Sequence, residues 1–339
     1  MGGCLEPMMI EYLDLSESAD RAGPPAGTAP AWLAAEVDSQ ACLLPLDAAC
    51  RDEIAAMAEG LRESPAPLAA CAAARFELPC LRSVMARAKA LVEGIPGVAV
   101  LDALPLDDLD EDAATAVFWV LGLLLGRPVA QKWDGTLLYH VRDGGRAYRY
   151  GVRASVTNVE LPFHIDNAFG TAPPDIIGLL CLRPAARGGL SRFCSVQTLH
   201  RRMAEAHPRR LARLHRPLLW DRQAEHAPGA PKVSRAPMFA MVGGGLRARI
   251  NVSLVRKGYR VAGEEIDAQA ADALEALESI AADPALWFEQ DLKRGQVQYL
   301  NNRDVVHYRS AFTDDGDPAL ERHLVRSWHR DWGTPDYDG

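Results

Sequence analysis

Leu161-Pro162-Phe163-His164-Ile165-Asp166-Asn167 places two metal-ligating side chains two residues apart in a short, strand-like run. In an extended backbone successive side chains alternate between faces, so His164 and Asp166 project to the same side and can converge on one point. An H-x-D pair arises by chance in many chains and means a metal site only with a third ligand. His307, at the end of Asn301-Asn302-Arg303-Asp304-Val305-Val306-His307, lies late in a second strand-like stretch and is the candidate. Two imidazoles and one carboxylate form a facial set that leaves positions open on iron(II) for a cosubstrate and dioxygen.

On either side of this stretch the chain reads as short strands: Thr136 to Val141, Ile176 to Leu182, Arg192 to Val196, Ala248 to Val252, Gln296 to Leu300 and Leu324 to Trp328. Turn signals separate them, among them Asp143-Gly144-Gly145, Pro173-Pro174, Gly188-Gly189 and Gly243-Gly244-Gly245. Two helices interrupt the series, Val196 to Leu214 and Ile266 to Ala282. Upstream, Leu81, Val84, Met85, Ala88, Leu91 and Val92 recur at helical spacing, with Gly94 and Pro96 as the stop. A second helix spans Asp52 to Arg62. A third, Ala113 to Leu125, follows acids that suit the positive end of its dipole. Gly97 to Leu101 reads as a buried strand. The expected fold is mainly β with flanking helices, a jelly roll or sandwich and not a doubly wound sheet. Residues 1–93 form an N-terminal arm, read as an entry strand or a loose arm with a flexible connector around Arg21 to Pro30, and a helical segment packed on the core; residues 94–339 form the core with helical insertions.

Composition removes several classes. Of 339 residues, 48% are hydrophobic and 24% charged, enough to bury a sizeable core and to exclude disorder over most of the length. A net charge of −8 argues against nucleic-acid and anionic-membrane partners. The basic run Arg201 to Arg216 lacks interleaved aromatics, and its His200, His207 and His215 read as a solvated polar face. Ala113 to Leu125 is shorter than the roughly 20 residues a membrane span needs. Seven cysteines with no C-x-x-C pair fit reduced thiols better than a disulfide framework. No secretory leader is evident, so a cytoplasmic protein is expected.

Arg322 and Arg326 stand four apart and share a face in either a strand or a helix. A guanidinium grips a carboxylate through two charge-assisted hydrogen bonds, which suits the far end of a dicarboxylic cosubstrate. These pieces, in order, resemble the TauD/TfdA family of iron(II)- and 2-oxoglutarate-dependent dioxygenases. The resemblance runs from Gly94 to Trp332 through Phe163-His164-Ile165-Asp166, Pro173-Pro174-Asp175, Gly188-Gly189-Leu190-Ser191, Gly295, Asn301-Asn302-Arg303, His307, Arg322 and Arg326.

The resemblance implies a double-stranded β-helix, a distorted jelly roll. It implies His164, Asp166 and His307 as iron ligands and catalytic residues, with Fe(II), 2-oxoglutarate and O2 as cofactor and cosubstrates. Arg322 matches the arginine that holds the distal carboxylate of 2-oxoglutarate, and Ser191 stands where the family usually has a threonine. Arg326 matches an arginine near the cosubstrate's other carboxylate or the substrate's anion. Asp166 favours hydroxylation, or desaturation and cyclisation, over halogenation, because related halogenases carry a small residue there. Succinate and carbon dioxide are the expected coproducts.

Glu160 falls where the family contacts substrate. A carboxylate there suits a cationic or zwitterionic small molecule, such as an amino-acid-derived metabolite. Asn167, Gln131, Tyr139 and Arg153 are further pocket candidates. His140 and His329 read as packed histidines and not as a fourth ligand. The same triad could serve a zinc hydrolase, and a catalytically silent small-molecule-binding member of the fold would keep it too.

Overall fold

Alternation along Ile176–Arg183 sets the layers: Ile177, Leu179 and Cys181 face an internal cavity, while Ile176, Leu180 and Leu182 pack outward beneath helices. The computed structural model describes residues 11–16, 30–64, 66–145, 154–317 and 319–337. Arg153, and the expected connector from Arg21 to Ala29, lie outside the described residues.

The major sheet runs in the order Leu43–Leu44, Val98–Leu101, Val297–Asn301, Ile176–Arg183, His323–His329 and Pro128–Val129, with Leu138–Val141 also paired to His323–His329. The minor sheet runs Trp287–Gln290, Ser191–Ser195, Val305–Arg309 and Leu161–His164. Their inner faces enclose the cavity between them.

Helices cover the outer faces. α1 (Ala48–Glu63), α2 (Pro79–Glu93) and α3 (Glu111–Leu123) bury Ile54, Met57, Leu81, Met85 and Phe118 against Leu180, Val297, Tyr299 and Val325 of the major sheet. Gly178 is small for a packing reason, since a Cβ there would meet Ser327 Oγ at 2.6 Å and the Tyr299 ring at 2.8 Å. Behind the minor sheet lie α4 (Val196–Ala206), α5 (Pro208–Leu214), α6 (Val252–Ala262) and α7 (Ala268–Ala281), with Cys194 and Val306 in their shared core.

Two elements depart from the sequence reading. The helix expected from Val196 to Leu214 is two, because Pro208 cannot donate to the helical ladder and instead opens α5 at its first turn. Ala248 to Val252 is not a strand: pairing ends at Ala248, and Asn251 caps α6 by accepting from the Leu254 N–H. Residues 12–14 form a strand parallel to Val233–Pro237.

The expectation of reduced thiols is corrected for one pair: Cys50 and Cys80 form a disulfide that joins α1 to α2. Cys42, Cys71, Cys181 and Cys194 are free and buried. The arginine-rich helices are a solvated face only in part: Arg201, Arg209 and Arg216 are exposed, whereas other members of the run are packed or paired. His200 and His215 are half-buried on Phe239 with their Nε2 atoms 3.1 Å apart, and Arg210 and Arg213 pair with Asp272 and Asp267. Among the described residues no helix is long and apolar enough to cross a membrane.

Candidate active site

Antiparallel pairing sets His307 directly opposite His164, and their rings lie 4.2 Å apart. The strand Leu161–His164 stops just before Asp166, and Ile165 points the other way into the core behind the minor sheet. Asp166 therefore returns toward His164. Its Oδ1 lies 3.4 Å from His164 Nε2 and 3.7 Å from His307 Nε2. One ligand atom from each of the three residues falls within 4.8 Å of the others, a donor set a single ion can span.

Several contacts prepare these groups. The His164 Nδ1 lies 2.8 Å from the Pro162 carbonyl, which can only accept, so that nitrogen carries the proton and Nε2 presents a lone pair. Burial first, then the neighbouring His164, push the His307 imidazole down to about 4, so it stays neutral at physiological pH. Burial opposes the charge on Asp166, but Arg326 and the two imidazoles outweigh it and hold the carboxyl well below its usual range. Two donors take its Oδ2, Arg326 Nη1 at 2.8 Å and Trp328 Nε1 at 3.0 Å, leaving Oδ1 to face the imidazoles. Two imidazole nitrogens and one ionised oxygen fit iron(II) by chemistry as well as by spacing.

The turn that aims Asp166 is fixed by residues the sequence reading gave no role. Fully buried Asn302 accepts from the Asp166 N–H at 2.9 Å and donates to the Asp166 and Pro174 carbonyls at 3.1 and 3.0 Å. Arg249 donates to the Ala168 and Gly170 carbonyls. Asn167 adopts φ 55° beside the carboxylate and lines the cavity, and its buried Oδ1 has no partner among the described residues. Asn302 belongs to the quoted Asn301-Asn302-Arg303 motif, but Trp328 and Arg249 carried no signal.

The cavity measures about 410 Å³ and is lined by all three triad residues, Glu160, Ser191, Arg322 and Arg326. Arg322 and Arg326 do share the cavity face. Arg322 is buried at the far end, where Gly189, at φ +71°, gives it room: a Cβ there would lie 3.2 Å from Arg322 Nε. Its Nη1 has no partner among the described residues. Ser191 borders the same end, directly across from Arg309 on the neighbouring strand. Glu160 stands exposed at the rim beside the Tyr308 hydroxyl.

Two expected substrate contacts are corrected. Gln131 is fully buried behind Arg326, accepting from its Nε at 2.8 Å and donating to the Leu137 and Arg326 carbonyls. Tyr139 packs under the Arg326 guanidinium, its ring centroid 5.3 Å away, and like Gln131 does not line the cavity. Both brace Arg326. His329 is buried between Ser327 and Gly126, and His140 contacts His323, so neither approaches the triad.

Comparison with known proteins agrees with this geometry. The family described as taurine catabolism dioxygenase TauD, TfdA family, matches residues 66–328. FR-33289 synthase of Streptomyces rubellomurinus is 31% identical over 237 residues, 68% of each chain. The taurine hydroxylase-like protein SAT17 of Stachybotrys chartarum is 29% identical over 62% of this chain and 55% of its own. In fold, the chain is similar to asparagine oxygenase in complex with Fe(II), 3-hydroxyasparagine and succinate, with TM-score 0.67 and 22% identity over 87% of this chain and 94% of that one. It is also similar to the non-heme iron oxygenase OrfP in complex with Fe, succinate and (3S)-hydroxy-L-Arg, with TM-score 0.61 and 16% identity over 84% and 93%. The chain belongs to the TauD/TfdA family of iron(II)- and 2-oxoglutarate-dependent dioxygenases and has the family's double-stranded β-helix fold.

Proposed function

We propose that His164, Asp166 and His307 hold iron(II), that Arg322 with Ser191 holds the distal carboxylate of 2-oxoglutarate, and that the reaction oxidises an unactivated C–H bond of a small zwitterionic metabolite. The observation that carries this reading is the convergence of two imidazole Nε2 atoms on Asp166 Oδ1 in a cavity whose far end holds a buried arginine with a spare donor. Iron(II), when bound, supplies the redox chemistry that turns 2-oxoglutarate, dioxygen and R–H into succinate, carbon dioxide and R–OH.

The chain's own residues prepare and orient. Arg326 and Trp328 hold Asp166 ionised and one-sided, so a single oxygen faces the metal. Arg326, braced by Gln131 and Tyr139, also presents a cation near the metal, where a carboxylate of cosubstrate or substrate would lie. Leu179, Leu324 and Phe193 wall the cavity and keep water from the reacting bond.

Charge balance supports the substrate class. Three acids (Glu160, Asp166, Asp291) and three arginines (Arg309, Arg322, Arg326) line the cavity. Iron(II) and 2-oxoglutarate cancel each other's charge and Asp291 is already paired with Lys293, so the acid left for a substrate amine is Glu160 at the rim, while Arg326 offers a cation to a substrate carboxylate. An amino acid fits both, with its amine at Glu160 and Asn167 beside it. The two structural relatives named above are oxygenases crystallised with hydroxylated amino acids, the same class.

A screen of amino acids and their derivatives for succinate release tests the reading. Release is expected only with iron(II), 2-oxoglutarate and a zwitterionic or cationic substrate, and Glu160→Gln should raise KM about tenfold for the loss of one charged hydrogen bond. Turnover of any substrate without 2-oxoglutarate would instead make the site a hydrolase.

A further inference from the structure

We propose that Arg309 is a second cation at the cosubstrate end of the cavity, a positioning residue whose charge adds to that of Arg322 in selecting a ligand that ends in a carboxylate. This rests on the reading that Arg322 marks the 2-oxoglutarate end.

Arg309 lies two residues beyond His307 on the same strand, so both side chains face the cavity, and it sits in register with Ser191 across the minor sheet. Its guanidinium is centred 5.0 Å from the Phe312 ring, and that of Arg322 is 4.9 Å from the same ring. Both side chains are buried, each 6% exposed. Arg309 Nε and Nη1 and Arg322 Nη1 are shielded from solvent and have no acceptor among the described residues. Asp143 and Asp314 act on the two guanidiniums only from a distance: among the described residues no carboxylate forms an ion pair with either.

Two neighbouring buried cations repel and have lost their hydration, an arrangement that costs stability unless an anion arrives. The Phe312 ring they share relieves part of that cost. The remaining edge of Arg309 is engaged. Its Nη2 donates to the Thr157 carbonyl at 2.9 Å and to the Val159 carbonyl, fixing the backbone that leads into Glu160. Phe312 adds its N–H to the Asn158 carbonyl at 3.1 Å. Arg309 is thus held by the loop on one side and acts electrostatically on the cavity end from the other.

The test compares two ligands that differ only in that end, 2-oxoglutarate and its distal amide, titrated anaerobically into the iron(II)-loaded protein with tryptophan fluorescence as readout. In Arg309→Met the affinity for 2-oxoglutarate should fall about tenfold, the worth of one charged interaction, while that for the amide stays within about twofold. Arg309→Lys should keep the preference of the parent protein. A merely structural role would weaken both ligands alike, and an unchanged ratio in Arg309→Met overturns the proposal. If Arg309→Met fails to fold, Arg309→Gln, which can still donate to the Thr157 carbonyl, carries the same comparison. Arg322→Gln separates the two levels: unchanged 2-oxoglutarate affinity there defeats the underlying reading, whereas its loss there with an unchanged ratio in Arg309→Met defeats only the role of Arg309.

Discussion

The two ends of the cavity satisfy their charges in opposite ways. At the triad, Asp166 receives two donors on one oxygen, its backbone is clamped by Asn302, and the proton of His164 is fixed by a carbonyl. At the arginine end, Arg322 and Arg309 keep buried donors without acceptors among the described residues. The triad end is largely assembled before any ligand arrives, although His307 Nδ1 has no partner among the described residues, whereas on the proposed reading the other end is completed by one. Pre-assembly suits a metal, whose ligands must already be deprotonated and aimed. Unspent donors suit a cosubstrate that is consumed and replaced every turnover, because its binding has to be strong yet reversible.

The largest expected effect breaks the assembled end. His307→Ala removes one of three ligand atoms, so bound iron should fall from one equivalent to near none and succinate release should vanish; retention of iron would mean that His307 is not a ligand. Next comes the clamp. Asn302→Ala leaves buried partners on Asp166 and Pro174 unpaired and should destabilise the fold by about 2–4 kcal/mol, read as a lower urea midpoint.

The outer face of the strand that carries Arg326 and Trp328 offers a contrast in pH. Burial first pushes His329 down to about 4, against the opposing Gly126 carbonyl and Asp331. Its folded value lies below the unfolded value of roughly 6.5. The unfolded chain therefore binds the extra proton, and stability is full above pH 6.5 and falls as pH drops toward 4, by about 2–3 kcal/mol for this residue. Urea midpoints at pH 7 and pH 5 should show the loss, and His329→Gln should flatten it. The smallest effect sharpens the assembled end. Trp328→Phe keeps an aromatic, smaller side chain and removes one donor from Asp166 Oδ2, and should weaken iron binding about tenfold in a competition titration, in line with other outer contacts to metal ligands.

What the sequence made legible follows from range. His164 and Asp166 stood out because a spacing of two equals the strand period, α1 and α2 because their apolar residues recur every three or four positions, and α3 because acids precede a continuous apolar run. Asn302 and Trp328 meet Asp166 across 136 and 162 residues, and no local pattern announces a hydrogen bond of that reach. Gln131 and Tyr139 illustrate the converse error. They are polar and near the chemistry in the fold, but Gln131 is buried in hydrogen bonds to Arg326, and Tyr139, paired opposite Arg326, packs on its guanidinium instead of reaching the cavity wall. The start of α6 was readable from Asn251 and the spacing of Val252, Val255, Tyr259 and Ala262, yet the alternation of Ala248, Ile250 and Val252 with polar residues suggested a strand. The Cys50–Cys80 pairing depends on how α1 packs on α2, which cysteine spacing does not encode.

The central claim is that one ferrous ion and one 2-oxoglutarate share this cavity. Anaerobic titration of the metal-free protein with iron(II), followed by 2-oxoglutarate, tests it most directly. The account predicts one iron per chain and a weak visible charge-transfer band that grows to one equivalent of 2-oxoglutarate and is absent in His307→Ala. A mixture that stays colourless with iron bound, or a band that survives the loss of His307, would contradict it.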